Sequence, residues 1–290
     1  MTAVLNHQWG MYPKRVHLEE ARRMGIGILG LCANRSGAQF ATSGGCIRIG
    51  LRQVKNLSER SVDRMLRVRE ERRFESLTDF LSRVKISQGE VENLVLGGAF
   101  DFTARSRPQL IWELKTACPL LKGRARERGL MPPCLPRLKP PALKDYSPWR
   151  KLMYELSALE LSPTAHPMSV LRPMLRERYV IGSSSLPERV GRSVRVGGVL
   201  SARHTNQTTG GAPMQFLTLE DEEGIFEVTV FPGPNSRFGR NIAGYGPYLV
   251  EGKVEAEYGV LSVNARRAVS YTHLRAHETS LHLVCRLLLE

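Results

Sequence analysis

What this 290-residue sequence lacks narrows its class before any motif is read. Cysteine is sparse: Cys32, Cys46, Cys118, Cys134 and Cys285 lie far apart, and no C-x-x-C pair occurs. Such spacing signals neither a disulfide framework nor a zinc knuckle, so reduced, unliganded thiols are expected. Long apolar runs are missing. The best, Met24 to Ala33, is broken by glycines and is about half the length a bilayer span needs. Met1 to Gly10 has no basic stretch leading into an apolar one, which argues against a secretory signal and makes the cytoplasm the expected compartment. Paired aspartates are absent too. No D-x-D occurs, and Asp63, Asp79, Asp101, Asp145 and Asp221 fall in helical, loop or turn contexts unsuited to a two-metal centre.

Positive charge is what the chain has in excess. Lys and Arg number 42 against 28 Asp and Glu, a net charge of +14. A surplus of that size favours a polyanionic partner, because each phosphate neutralised releases condensed counterions. With 42% hydrophobic residues the chain is nonetheless globular in composition, and its length suits two compact units plus connections.

The pattern along the chain separates helical from extended regions. His17 to Met24 reads as an Arg-rich helix stopped by Gly25. Leu51, Val54, Leu57, Val62, Met65 and Leu66 recur three and four apart, interrupted at Asn56-Leu57-Ser58. That spacing predicts two short helices in a tight hairpin, with Ser58 as N-cap of the second. Leu77, Phe80, Leu81 and Val84, then Val91, Leu94, Val95 and Leu96, predict a second hairpin. Between its helices, Ser87-Gln88-Gly89-Glu90 reads as a capping box. A hairpin apex followed by a helix N-terminus offers free amides and a positive dipole end, a means of holding phosphate without reading bases. Arg52, Lys55, Arg60 and Arg64 add charge beside the first apex, and Asn56 tolerates a left-handed conformation there.

Lys122 to Pro148 alternates basic residues with prolines, as an extended linker does, and a short helix is predicted from Trp149 to Leu159. Five strands follow: Val194 to Ala202, Gln215 to Leu219, Phe226 to Phe231, Tyr248 to Glu255 and Gly259 to Ala265. Phe226, Val228 and Val230 alternate with Glu227, Thr229 and Phe231, and a small helix fits around Arg237-Phe238. Five short strands with that interruption suggest an oligonucleotide-binding (OB) barrel, with Arg203 to Pro213 as its polar, glycine-rich first loop.

The order of motifs resembles a known family. Leu5 to Pro13, Glu19 to Ile26 and Asn34-Arg35-Ser36 look like the fingers-region tail of bacterial C-family DNA polymerases, the group of the DNA polymerase III alpha subunit and its error-prone paralogue. Ile47 to Ser58 and Gly97 to Asp101, with Arg107 after them, resemble the opening and close of that family's tandem helix-hairpin-helix domain. Tyr154 to Met168 and Phe216 to Gly224 are similar to the approach to its OB domain and to the second OB strand.

The resemblance implies an α+β multidomain chain in six segments. These are a fingers-region tail (1–46), a tandem helix-hairpin-helix domain (47–121), a basic linker (122–148), a helical connector (149–192), an OB domain (193–269) and a non-family tail (270–290) that looks like translated adapter sequence. It also implies that the metal-binding palm, and with it Mg²⁺, lies upstream. The chain is then expected to bind DNA without polymerising alone, and to need no cofactor of its own. The expected partners are duplex and single-stranded DNA, with a sliding clamp and other replication or repair factors as further candidates, and no membrane.

The candidate DNA contacts are Arg52, Lys55, Asn56, Ser58, Arg60 and Arg64 at the first hairpin, Lys85, Ser87 and Gly89 at the second, then Arg107, and Arg203 and Phe216 in the barrel. No catalytic or metal-binding residue is assigned. The alternative is a non-enzymatic nucleic-acid-binding accessory protein, which has no evident use for the fingers-like first forty residues. His166 is expected at a helix start, Trp9 and Trp112 in packing, and His273 and His277 outside any metal site.

Overall fold

The computed structural model describes residues 1–7, 12–124, 140–176, 179–242, 244–257 and 259–270. Trp9, the prolines at 132, 133 and 136, and the segment 271–290 with His273 and His277 lie outside the described residues. The chain divides into two compact units, Met1–Ala165 and His166–Glu290.

The first unit opens with α1 (Thr2–His7) and α2 (Lys14–Arg23), the latter ending where expected before Gly25. Next comes a small sheet that the sequence pattern did not announce. It holds β1 (Ile28–Leu29), β2 (Ala41–Ser43) and β3 (Cys46–Arg48) in the order β1-β3-β2. Strands of two or three residues are too short to show alternation. Gly50 then passes so close to Gln39 that a Cβ would lie 2.3 Å from its carbonyl carbon, a backbone contact open only to glycine.

Leu51–Gln53 makes one 3-10 turn, not the helix that the spacing predicts. Between the close contact at Gly50 and the cap at Ser58 there is room for a single turn, and Asn56 reverses the chain with φ 59°. The helices α3 (Glu59–Glu71), α4 (Leu77–Arg83), α5 (Gln88–Leu96), α6 (Arg107–Arg124) and α7 (Pro148–Leu159) follow. Ser58, Ser76, Ser87 and Ser147 each accept a backbone N–H of the first turn of α3, α4, α5 and α7. The apolar faces that the spacing predicts meet in one core. Leu51, Val62, Met65, Phe80, Leu94 and Leu110 are buried together, and Phe80 packs edge-on against Phe74 and Phe100 at 4.9 and 5.0 Å.

In the second unit α8 (Pro167–Arg176) begins at His166, whose ring Nδ1 accepts the Met168 N–H at 3.1 Å, the helix-start role expected of it. A closed barrel follows: β4 (Ser193–Gln207), β5 (Pro213–Glu220), β6 (Ile225–Val230), then α9 (Pro232–Phe238), β7 (Tyr248–Glu257) and β8 (Val260–Ser270). Counting strands from one to five, the order around the barrel is 1-2-3-5-4. It closes through a parallel β6–β8 pair and an antiparallel β4–β7 pair. Leu217, Leu219, Phe226, Val228, Val230, Val250 and Val263 fill the interior, and Phe238 and Ile242 join the same core. The fold is therefore α+β: tandem helical hairpins, then an OB-type barrel.

Candidate nucleic-acid interface

The two hairpins are joined by one carboxylate. Within α5 the capping box forms in full: Ser87 Oγ accepts the Glu90 N–H at 3.3 Å, and Glu90 Oε2 accepts the Ser87 N–H at 2.8 Å. The other oxygen, Glu90 Oε1, accepts the Ser58 N–H at 3.1 Å and the Ser61 hydroxyl at 2.7 Å, both at the start of α3. Burial pushes the Glu90 carboxyl up, but the donors from Ser58, Ser61 and Ser87 more than offset it and hold its pKa at about 2.

This arrangement corrects part of the phosphate-clamp expectation. The Ser58 N–H is taken by Glu90, and the Lys55 N–H is taken by Ala158 O at 2.7 Å. Ser58 and Ser87 act as caps, with both side chains used inside the fold. What points outward is side-chain charge. Arg52, Lys55, Arg60, Arg64 and Lys85 are all exposed, as are Asn56 and Gly89. Arg52 pairs with Glu59 and Lys55 with Glu160, each at 3.3 Å and both exposed, so the pairs are weak and readily exchanged. Arg64 donates to the Lys85 carbonyl and thereby lies across to the second hairpin. Arg67, also exposed, extends the row; its spacing from Arg60 and Arg64, four and then three along α3, was the signal that would have found it.

Arg107 does not belong to this surface. Its side chain is 4% exposed, and it donates to Asp101 Oδ2 at 2.8 Å, Glu155 Oε1 at 2.9 Å and Leu96 O at 2.8 Å. Burial alone would depress the guanidinium; Asp101 and Glu155 hold it above its ordinary value. Gly98, at φ 87°, leaves room for it, since a Cβ there would sit 2.7 Å from Arg107 Nη2. Arg107 is an internal tie between α5, α6 and α7. Trp112 is half-buried on α6.

In the barrel the predicted first loop is largely strand. Arg203 to Gln207 continue β4 and pair with Leu217 to Pro213 of β5, leaving only a turn at residues 208–212. The stretch reads as loop because its side chains are polar and exposed; ladder bonds, not core burial, hold it straight. Cross-strand registers place His204, Phe216, Thr229, Asn264 and Lys253 side by side on the outer face of all five strands. Phe216 is half-buried within that row. Arg203 is one residue out of phase with it and turns away. Its guanidinium donates to Ile242 O at 2.8 Å and, with Gln215, Asn235 and Arg240, lines a pocket of about 700 Å³ beside α9. Arg203 and Phe216 thus sit on different faces.

Among the described residues, no three His, Cys, Asp or Glu side chains gather as a metal site. Cys32 and Cys46 are free thiols. No described helix is long and apolar enough to cross a membrane.

Tandem helical hairpins followed by a 1-2-3-5-4 barrel define a helix-hairpin-helix and OB chain, and residues 25–110 match the model of a helix-hairpin-helix motif. Over most of its length the chain is similar in sequence to C-family DNA polymerases. It is 32% identical over 226 residues to the error-prone DNA polymerase of Corynebacterium efficiens, covering 77% of this chain and 20% of that protein. It is 29% identical over 259 residues to the error-prone DNA polymerase of Corynebacterium glutamicum, covering 89% and 23%. It is 30% identical over 224 residues to the DNA polymerase III subunit alpha of Bacillus subtilis, covering 74% and 20%. The chain therefore spans between a fifth and about a quarter of the length of these relatives.

Proposed function

We propose that this chain is the DNA-holding C-terminal part of a DNA-directed DNA polymerase of the alpha or error-prone type, acting in replication or translesion repair synthesis in the cytoplasm. The observation that carries the reading is the exposed cationic row of Arg52, Lys55, Arg60, Arg64 and Arg67 around hairpins similar in sequence to those polymerases. In this reading the row grips duplex backbone through charge, without base readout. The face centred on Phe216 stacks the bases of an unpaired strand. Chemistry and its Mg²⁺ belong to a palm elsewhere in the longer protein, so this chain alone adds no nucleotide. A sliding clamp and other replication or repair factors remain candidate partners of the whole protein.

The test is fluorescence anisotropy of the full chain with three labelled DNAs: blunt duplex, unpaired strand, and duplex with a 5′ overhang. Binding to the overhang junction tighter than to either part supports the reading. No binding to any of the three at low salt contradicts it.

A further inference from the structure

Past the apolar core of the barrel, the inward sides of β4 and β5 run on as polar residues. Leu219 and Leu217 belong to the core. The alternation carries on to Gln215, which pairs across the ladder with Thr205, while Arg203 pairs with Leu217 and so shares that side of the sheet. Phe216 points to the other side. Where the strands outrun the core, Arg203, Thr205 and Gln215 meet Asn235 and Arg240, and together they line the pocket of about 700 Å³ beside α9.

This pocket has two unmet needs. Arg203 and Arg240, both exposed, line it and no carboxylate does. Cations gathered without acids repel one another, a cost that an anion relieves. The pocket also holds buried acceptors. Gln215 Oε1 and Asn235 Oδ1 have no hydrogen-bond donor among the described residues, and Asn235 is only 9% exposed. The Asn235 amide is anchored by its other end, Nδ2, which donates to Pro213 O at 3.0 Å. Both amides converge on Gly239, where a Cβ would lie 1.9 Å from Asn235 Oδ1 and 3.2 Å from Gln215 Nε2. Buried acceptors without a donor are rare in folded chains, and a ligand that brings N–H groups would satisfy these two.

We infer that this pocket docks an acidic segment of a partner protein, with Asp or Glu carboxylates on Arg203 and Arg240 and backbone N–H groups on Gln215 and Asn235. Guanidinium groups match carboxylates in geometry and charge. A peptide is a polyanion that also carries a donor at every residue but proline, whereas a sugar–phosphate backbone brings acceptors and would leave both amide oxygens unpaired. Ala212, Pro213 and Pro232 add apolar wall against which the methylene groups of such a segment can lie. The net charge of +14 draws an acidic partner in. Nothing in this docking depends on the hairpin row, or on the Phe216 ring on the opposite side of β5.

The full chain is screened against an array of short synthetic peptides that carry Asp and Glu among varied neutral residues, beside the same peptides with Asn and Gln in their place. The tightest binder is then measured by fluorescence anisotropy with wild type, R240Q, Q215L and F216A, each first checked for an unchanged melting profile. Unlabelled peptide and an unlabelled single strand of DNA serve as competitors. Acidic peptides are expected to bind and their amide counterparts to fail. R240Q, which changes an exposed side chain, should weaken the binder about tenfold. Q215L should weaken it about fivefold, and F216A should leave it close to wild type. No preference for the acidic peptides overturns the site, as does wild-type affinity in folded R240Q and Q215L. Loss of peptide binding in F216A, or displacement by the DNA strand as effective as by unlabelled peptide, gives the pocket to nucleic acid and overturns the docking too.

Discussion

Glu90 Oε1 accepts the backbone N–H of Ser58 at 3.1 Å, so a residue of the second hairpin caps the helix of the first. The same carboxylate serves the start of α3, which carries Arg60, Arg64 and Arg67, and the start of α5. Because the folded pKa of Glu90 is about 2, below its unfolded value of about 4.3, its stabilising effect is fully present above that unfolded value. It fades as pH falls toward the folded one. Replacing Glu90 with Gln should lower stability at neutral pH and flatten the loss of stability between about pH 4.5 and 2. Urea melts across that range check it; parallel losses in both proteins contradict the shared cap.

Arg107 supplies a second prediction. Changing it to Met leaves Glu155, 1% exposed, without its cationic partner. Breaking a buried pair in this way costs about 3–5 kcal/mol. Denaturant unfolding should show that loss, while duplex affinity of the folded fraction stays as in wild type. A selective loss of DNA binding with stability intact would return Arg107 to the interface.

Phe216 and Arg203 lie on different faces of the barrel, so their substitutions should separate. F216A should weaken binding of an unpaired strand by about 5- to 100-fold and leave duplex binding unchanged. R203A should act less on the strand. Anisotropy with both DNAs decides, and equal effects of the two substitutions would refute the placement of the binding face.

Much of this was legible in sequence where the determinants are local. Ser58 and Ser87 announce their helices because a cap and its amide are three residues apart. Phe226, Val228 and Val230 announce a strand by alternation, and all three are buried. What escaped depends on distant partners. Arg107 reads as a surface cation until Glu155, 48 positions away, takes it inside. Arg203 to Gln207 read as loop because their strand is held by backbone pairing to β5, not by an apolar face.

The most direct test of the central claim is the salt dependence of duplex binding by the full chain and by R52A/K55A/R60A. Each phosphate contact contributes about 0.9 to the slope of log K against log salt concentration. If the exposed row grips the backbone, the triple variant binds more weakly at every salt concentration and its slope is shallower by about 2 to 3. A triple variant with the affinity and slope of the wild-type chain would show that the row does not hold DNA.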